Sequence, residues 1–167
     1  MAEWVPVSQD IGIQPIANTE TTQRHQLGVI VRAESRTYGG GEFIYLKGVA
    51  STVVGSVVTY DPVNGTTTLI PNTANLNQPI AVAMSANVAS QYGWYQISGA
   101  AVMKKTAVAV TPSVPVYISA TAGRVKSTAA SGKQIVGARS VNAATVASGT
   151  STITVLINRS HAQGAVA

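Results

Sequence analysis

The sequence predicts an all-β fold: a compact β-sandwich or barrel-like domain of short antiparallel strands with an extended N-terminal arm. Three observations carry that expectation. From Pro62 onward β-branched residues, alanine, glycine and serine dominate in short runs separated by turn residues, the rhythm of short strands. Residues 54–70, VGSVVTYDPVNGTTTLI, place two such runs around DPVNG, where Asp-Pro starts a turn and Asn-Gly offers the positive φ angles a hairpin needs. Several runs alternate, as in Ile153, Val155 and Ile157 against Thr152, Thr154 and Leu156, the pattern of a strand with one buried face.

Taken in order, residues 1–26 read as the arm. Val5, Val7, Ile11, Ile13 and Ile16 are apolar, Pro6, Gly12 and Pro15 interrupt any helix, and TETTQRHQ that follows is wholly polar. Such a segment carries apolar anchors but cannot make a core alone. Trp4 is expected to plug into a pocket elsewhere, because a lone aromatic near a free terminus is otherwise an aggregation liability; the alternative is that the arm lies back on its own domain.

The β-domain spans 27–160 and opens on TYGGGEFIYLKG, residues 37–48. A phosphate cradle would need a helix start with a lysine and a hydroxyl beside the glycines, and the aromatic and β-branched run after Gly41 is strand composition instead. Phe43 and Tyr45 point to one face and Ile44 and Leu46 to the other, so the strand is covered on both sides. Gly39, Gly40 and Gly41 read as the hinge between arm and domain. Further strands are expected over Pro79–Ser85, Gly93–Ser98, Ala100–Met103, Val114–Ser119, Arg124–Ser127, Gln134–Ala138 and Ser151–Asn158, with prolines 112 and 115 marking an edge or a strand start. A short helical turn is expected over 86–93, loops connect the runs between Ala120 and Gly149, and residues 161–167 read as a flexible tail.

Length fits one domain, or a domain plus an arm. Charged residues are only 10% of the 167, against roughly 25% in typical soluble domains, so part of the surface is expected to be covered by copies of the chain or by a larger partner. All six carboxylates, Glu3, Asp10, Glu20, Glu34, Glu42 and Asp61, precede Pro62, where four cations accompany them for a net charge of −2. Beyond that point stand Lys104, Lys105, Arg124, Lys126, Lys133, Arg139 and Arg159 with no Asp or Glu. That absence speaks against general acid–base and divalent-metal chemistry and makes this part attractive to an acidic surface. The cations are scattered and Tyr117 is the sole aromatic after Tyr95, so sequence-specific nucleic-acid binding is not expected.

No cysteine is present, which excludes disulfides and thiolate metal sites. The N-terminus lacks a signal-peptide pattern and no run approaches a membrane span, so a soluble protein made in the cytosol is expected. The NGT at Asn64 and the NRS at Asn158 read as turn chemistry rather than glycosylation acceptors. His25 and His161 lack a carboxylate or cysteine at ligand spacing and are expected to be solvated, and Glu42 and Asp61 show no sign of meeting across a cleft. No enzyme site, cofactor or metal is therefore expected. In QYGWY, Tyr92, Trp94 and Tyr95 could stack on a sugar, although Trp94 and Tyr95 face opposite ways in a strand and core packing explains them equally well.

The succession YGGGEFIYLKGVAST, VGSVVTYD, a hairpin and QPIAVAMSANVASQYGWYQISGAAV resembles the capsid decoration, or cement, proteins of tailed bacteriophage heads, best from about Leu27 to Val102. The resemblance implies a β-domain on the exterior of the expanded shell, a homotrimer bound to the major capsid protein, with an arm reaching across the capsid, no catalytic residues, and a virion protein made in the host cytoplasm. The candidate capsid or subunit interface comprises Trp4, Val5, Ile11, Ile13 and Ile16 of the arm with Arg32, Arg36, Tyr38, Phe43 and Tyr45. The rival expectation is a glycan- or receptor-binding β-module of the virion surface using QYGWY.

Overall fold

The computed structural model describes residues 4–7 and 12–165. Strands make up 44% of the chain, and the described residues contain no helix. In chain order the strands are β1 (Val5–Pro6), β2 (Thr19–Glu20), β3 (Ile30–Ser35), β4 (Gly39–Lys47), β5 (Val57–Tyr60), β6 (Thr67–Leu69), β7 (Ile80–Ala83), β8 (Tyr92–Lys104), β9 (Pro115–Ile118), β10 (Val125–Lys126), β11 (Gln134–Ser140), β12 (Thr152–Asn158) and β13 (His161–Ala162). The ladder order is β1-β3-β4-β8-β12-β11-β9-β10, with β2 and β7 also on β8, β5 between β6 and β7, and β13 on β11. The all-β expectation holds. The barrel-like alternative does not, because the path keeps two open ends and the sheet never closes.

Strand β8 is the spine. Its first half, Tyr92–Ser98, pairs with β4, and its second half, Ser98–Lys104, pairs with β12. The sequence reads as two runs here, but the chain continues through Gly99, whose φ of +100° and position against Gly40 admit no side chain: an added Cβ would lie 2.5 Å from the Gly40 carbonyl oxygen. Residues 86–91 are irregular, with a turn at 89–90, rather than the expected helical turn. Pro115 opens β9, where its missing N–H does least harm.

The 54–70 hairpin forms as its composition requires. Val58, Thr59 and Tyr60 face Leu69, Thr68 and Thr67. The Asp61 carboxylate accepts from the Val63 amide at 2.8 Å, and the Asn64 side-chain oxygen accepts from the Thr66 hydroxyl at 2.7 Å, the Asx-type bonding that makes these residues turn formers. Within the turn 61–66, Gly65 alone takes a positive angle, at φ +68°.

Three apolar clusters fill the interior. The largest joins Val57, Ile80 and Val82 to Ala101, Met103, Val116, Ile118, Ile135, Ile153, Val155 and Ile157. A second holds Ile44, Leu46, Val58, Ala81, Ala83, Tyr95 and Ile97. The third is aromatic: Trp4, Phe43, Tyr45 and Trp94, with Ile16, Val31 and Ala33. Phe43 and Tyr45 therefore enter one cluster and Ile44 and Leu46 another, so β4 is covered on both faces as its composition predicts.

The cover on the aromatic face is the chain's own N-terminal segment. Val5 and Pro6 pair with Glu34 and Ala33, the Val7 amide donates to the Arg32 carbonyl at 3.0 Å, and Thr19–Glu20 pair with Gly93 and Tyr92. Of the two alternatives for the arm, the one that lies back on its own domain is the one observed. The C-terminal end also departs from expectation: His161 and Ala162 pair with Val136 and Ile135, and Ala162 is buried, so the segment read as a tail begins inside the sheet.

Candidate functional site

Strands β3 and β4 form a hairpin in which Ser35, Glu34 and Ala33 face Gly39, Gly40 and Gly41. The three glycines thus start a strand. They do not join the arm to the domain, and the hinge expectation is corrected: an isolated sequence cannot show that 30–35 returns to pair with 39–44. Gly41 has a different role. A Cβ there would sit 3.1 Å from the Trp4 ring, 3.0 Å from the Ser98 carbonyl and 3.2 Å from the Gln96 amide nitrogen, so the glycine makes room for Trp4. The Trp4 ring meets Phe43 edge-on at 4.9 Å and stacks over Tyr38 at 6.3 Å.

The proposed interface residues separate into two groups. Trp4, Ile16, Phe43 and Tyr45 are buried in the aromatic cluster, and Ile13 and Tyr38 pack partly buried against it. Trp4, Ile16, Phe43 and Tyr45 are therefore internal to the chain while the arm is docked, whereas Ile13 and Tyr38 keep part of their surface exposed. Val5, Arg32 and Arg36 remain exposed. Ile11 lies outside the described residues.

The three exposed residues line two adjoining grooves at the end of the hairpin. One, about 720 Å³, is bounded by Val5, Glu34, Ser35, Arg36, Thr37, Gly39 and Gly40. The other, about 590 Å³, is bounded chiefly by Val7, Arg32, Glu34, Glu42, Ser98 and Arg159. Glu34 and Gly40 belong to both. The Glu42 carboxylate lies between two guanidinium groups, 3.7 Å from Arg32 Nε and 3.1 Å from Arg159 Nε. Its hydrogen bond and charge push the Arg159 guanidinium above its ordinary value. These groups face water, where ion pairs contribute little to stability, so the arrangement mainly fixes where the cations point. Three arginines against two glutamates leave the surface slightly cationic. It offers both polar and apolar contact.

His25 is half-buried rather than freely solvated as expected. Its Nε2 lies 2.6 Å from the Gln14 side-chain oxygen, and its ring stands edge-on to Tyr45 at 5.0 Å and tilted to Trp94 at 5.5 Å. It fastens residues 14–25 over the aromatic cluster. His161 is exposed as expected. Among the described residues no group of three His, Cys, Asp or Glu side chains is placed to hold a metal ion, and no helix is long and apolar enough to cross a membrane.

In QYGWY, Gln91 and Tyr92 are half-buried and the rest is interior. Trp94 and Tyr95 are both fully buried, on opposite faces of β8; a platform for stacking a sugar needs an exposed ring face, which neither provides. Burial also raises the Tyr95 hydroxyl above its ordinary value, against the hydrogen bond it receives from the Asn87 amide at 3.0 Å.

One group that the sequence reading passed over is Lys105. Its side chain is almost wholly buried, and its ammonium donates to the carbonyls of Thr106, Val108 and Ser148 at 3.3, 2.9 and 3.1 Å. Desolvation lowers its value below the ordinary 10.5. Strand parity carried the signal: with Met103 inward and Lys104 outward, Lys105 points inward again.

No protein-family model matches the chain, and no curated protein matches it.

Proposed function

We propose that this chain is a structural protein of a tailed-phage head that binds the outer surface of the expanded capsid, as a homotrimer, and ties neighbouring capsomers together through contacts with the major capsid protein. The observation that carries the reading is the placement of the residues behind the resemblance. YGGGEFIYLKG forms β4, the QPIAVAMS segment contains β7, and QYGWYQISGAAV runs along β8. Those three strands are hydrogen-bonded neighbours at the centre of the sheet, so the resemblance follows one contiguous piece of the fold.

The chemistry of the surface supports the same reading. The exposed groove residues Val5, Val7, Arg32, Arg36 and Arg159 are suited to a flat protein contact. Many such weak contacts repeated on a lattice gain strength through multivalency. A protein that binds only the expanded lattice stabilises it by linkage, in proportion to the sites filled.

The test is co-sedimentation of purified protein with expanded shells that lack it, counting copies per shell and recording the shell melting temperature. Saturation at a fixed stoichiometry with a raised melting temperature is the expected outcome. Failure of folded protein to bind overturns the proposal.

A further inference from the structure

The turn of the β5–β6 hairpin holds the chain's single Asn-Gly step, Asn64–Gly65. The fold demands a glycine there. Its φ is +68°, and an added Cβ would lie 2.5 Å from the Leu27 Cβ. The Gly65 N–H donates to the Asp61 carbonyl and the Gly65 carbonyl accepts from the Lys47 N–H, both at 2.9 Å. Gly65 is thus buried and fastened on both sides, whereas Asn64, like Pro62, Val63 and Thr66, is exposed. The Asn64 side-chain oxygen accepts from the Thr66 amide at 3.2 Å and from the Thr66 hydroxyl at 2.7 Å. A backbone nitrogen that belongs to a residue without a Cβ can close on the preceding side-chain amide carbon unhindered. Every other asparagine precedes Thr, Leu, Gln, Val, Ala or Arg, whose side chains crowd that approach.

We propose that Asn64 is a site of spontaneous deamidation, slow while the turn is closed and fast when residues 61–66 open, and that its isoaspartate product unfastens Gly65. The Gly65 nitrogen gives its proton to hydroxide and attacks the Asn64 Cγ. The N–Cγ bond forms, the Cγ–Nδ2 bond breaks, and Nδ2 takes a proton from water and leaves as ammonia. Water then adds to either carbonyl of the five-membered imide and opens it to aspartate or isoaspartate; nothing is oxidised or reduced. In the closed turn both reacting groups are engaged, the Gly65 N–H by the Asp61 carbonyl and the Asn64 amide by Thr66. Reaction therefore passes through a local opening whose population sets the rate. The two products differ in their effect. Aspartate still offers Thr66 an oxygen acceptor. Isoaspartate routes the main chain through the former side-chain carbon and lengthens it, so Gly65 can no longer keep its contacts with Asp61, Lys47 and Leu27 together. Leu27 packs against the aromatic cluster, which carries the damage beyond the turn. This chemistry is independent of what the chain binds.

The test is peptide mapping of the full chain aged in mildly alkaline buffer, counting aspartate and isoaspartate at each asparagine. Three samples are compared: folded wild type, wild type unfolded in urea, and folded Thr66→Val, which removes the hydroxyl donor at an exposed position. In the unfolded chain Asn64 should convert faster than any other asparagine and at least about tenfold faster than in the folded chain. Folded Thr66→Val should convert about fivefold faster than folded wild type, the change in open population that one lost hydrogen bond brings. Asn64→Asp, which mimics the aspartate product, should melt as wild type, and the aged fraction containing isoaspartate should melt lower. Conversion at Asn64 no faster than at the other asparagines of the unfolded chain overturns the proposal. Equal rates in folded and unfolded wild type, or a Thr66→Val rate at or below that of wild type, overturn it as well. So does an isoaspartate fraction that melts together with Asn64→Asp.

Discussion

The two halves of β8 are built on different plans although they belong to one strand. Tyr92–Ser98 carries Trp94 into an aromatic cluster closed by a thin, irregular N-terminal segment, whereas Gly99–Lys104 carries Ala101 and Met103 into an aliphatic cluster closed by continuous ladders. On the first side, large rings and a few anchors supply the cover; on the second, strand pairing and many small side chains do. The contrast teaches that a sheet face can be sealed without a second sheet when the sealing segment brings one large aromatic and the sheet leaves a glycine beneath it. Trp4 over Gly41 is that arrangement.

The comparison breaks most visibly at Trp94. Trp94→Ala empties the centre of the aromatic cluster and should cost about 3–5 kcal/mol, read as a lowered denaturant midpoint with the slope retained. Trp4→Ala removes the seal and leaves the sheet. We expect a loss of about 2 kcal/mol, with hydrogen exchange accelerated in Val5–Val7 and β3 and unchanged in β12; acceleration spread evenly over both halves would show that the arm is no separate cover.

On the aliphatic side the corresponding test is Lys105→Met, which leaves three carbonyls without their donor and should destabilise by about 1–3 kcal/mol at neutral pH. Because burial holds the folded Lys105 below 10.5, the folded chain binds that proton less tightly than the unfolded chain. Its contribution is fully present above 10.5 and is lost as pH falls through the lowered folded value. The stability gap between wild type and Lys105→Met should therefore widen as pH rises toward 10.5, and a narrowing gap would mean that the three carbonyls outweigh desolvation. The smallest effect separates neighbouring glycines: Gly41→Ala, crowded by Trp4, should lose about 1–3 kcal/mol. Gly40→Ala, with open space around it, should stay within about 0.5 kcal/mol, both measured by thermal melting.

Much of the fold was legible because it follows from local chemistry. The DPVNG hairpin, the alternation along β12 and the double cover of Phe43–Leu46 each depend on residues within one or two strands of one another. What was not legible depends on pairing between distant segments. The glycine run resembles a hinge until β3 is known to return along it. Trp94 and Tyr95 look available to a sugar until the arm covers the one and the second apolar cluster encloses the other, and the polar stretch around His25 gives no sign that its imidazole packs on Tyr45 and Trp94. For the candidate interface, the sequence picked out apolar anchors by type, and type alone cannot distinguish an anchor for a partner from one for the chain itself. Val5 and Arg32 stayed at the surface because β1 and β3 each bury only one face, and Arg36 because it stands in the turn after β3.

Both ends of the ladder path are two-residue strands, β1 and β10, and β1 contains Pro6, which has no N–H to offer. An open sheet normally presents a row of free amides and carbonyls on which another chain can polymerise. Stubs this short, one of them carrying a proline, give such growth almost nothing to register against. Neither end of the path therefore gives a second chain a length of edge on which a fibre could be built.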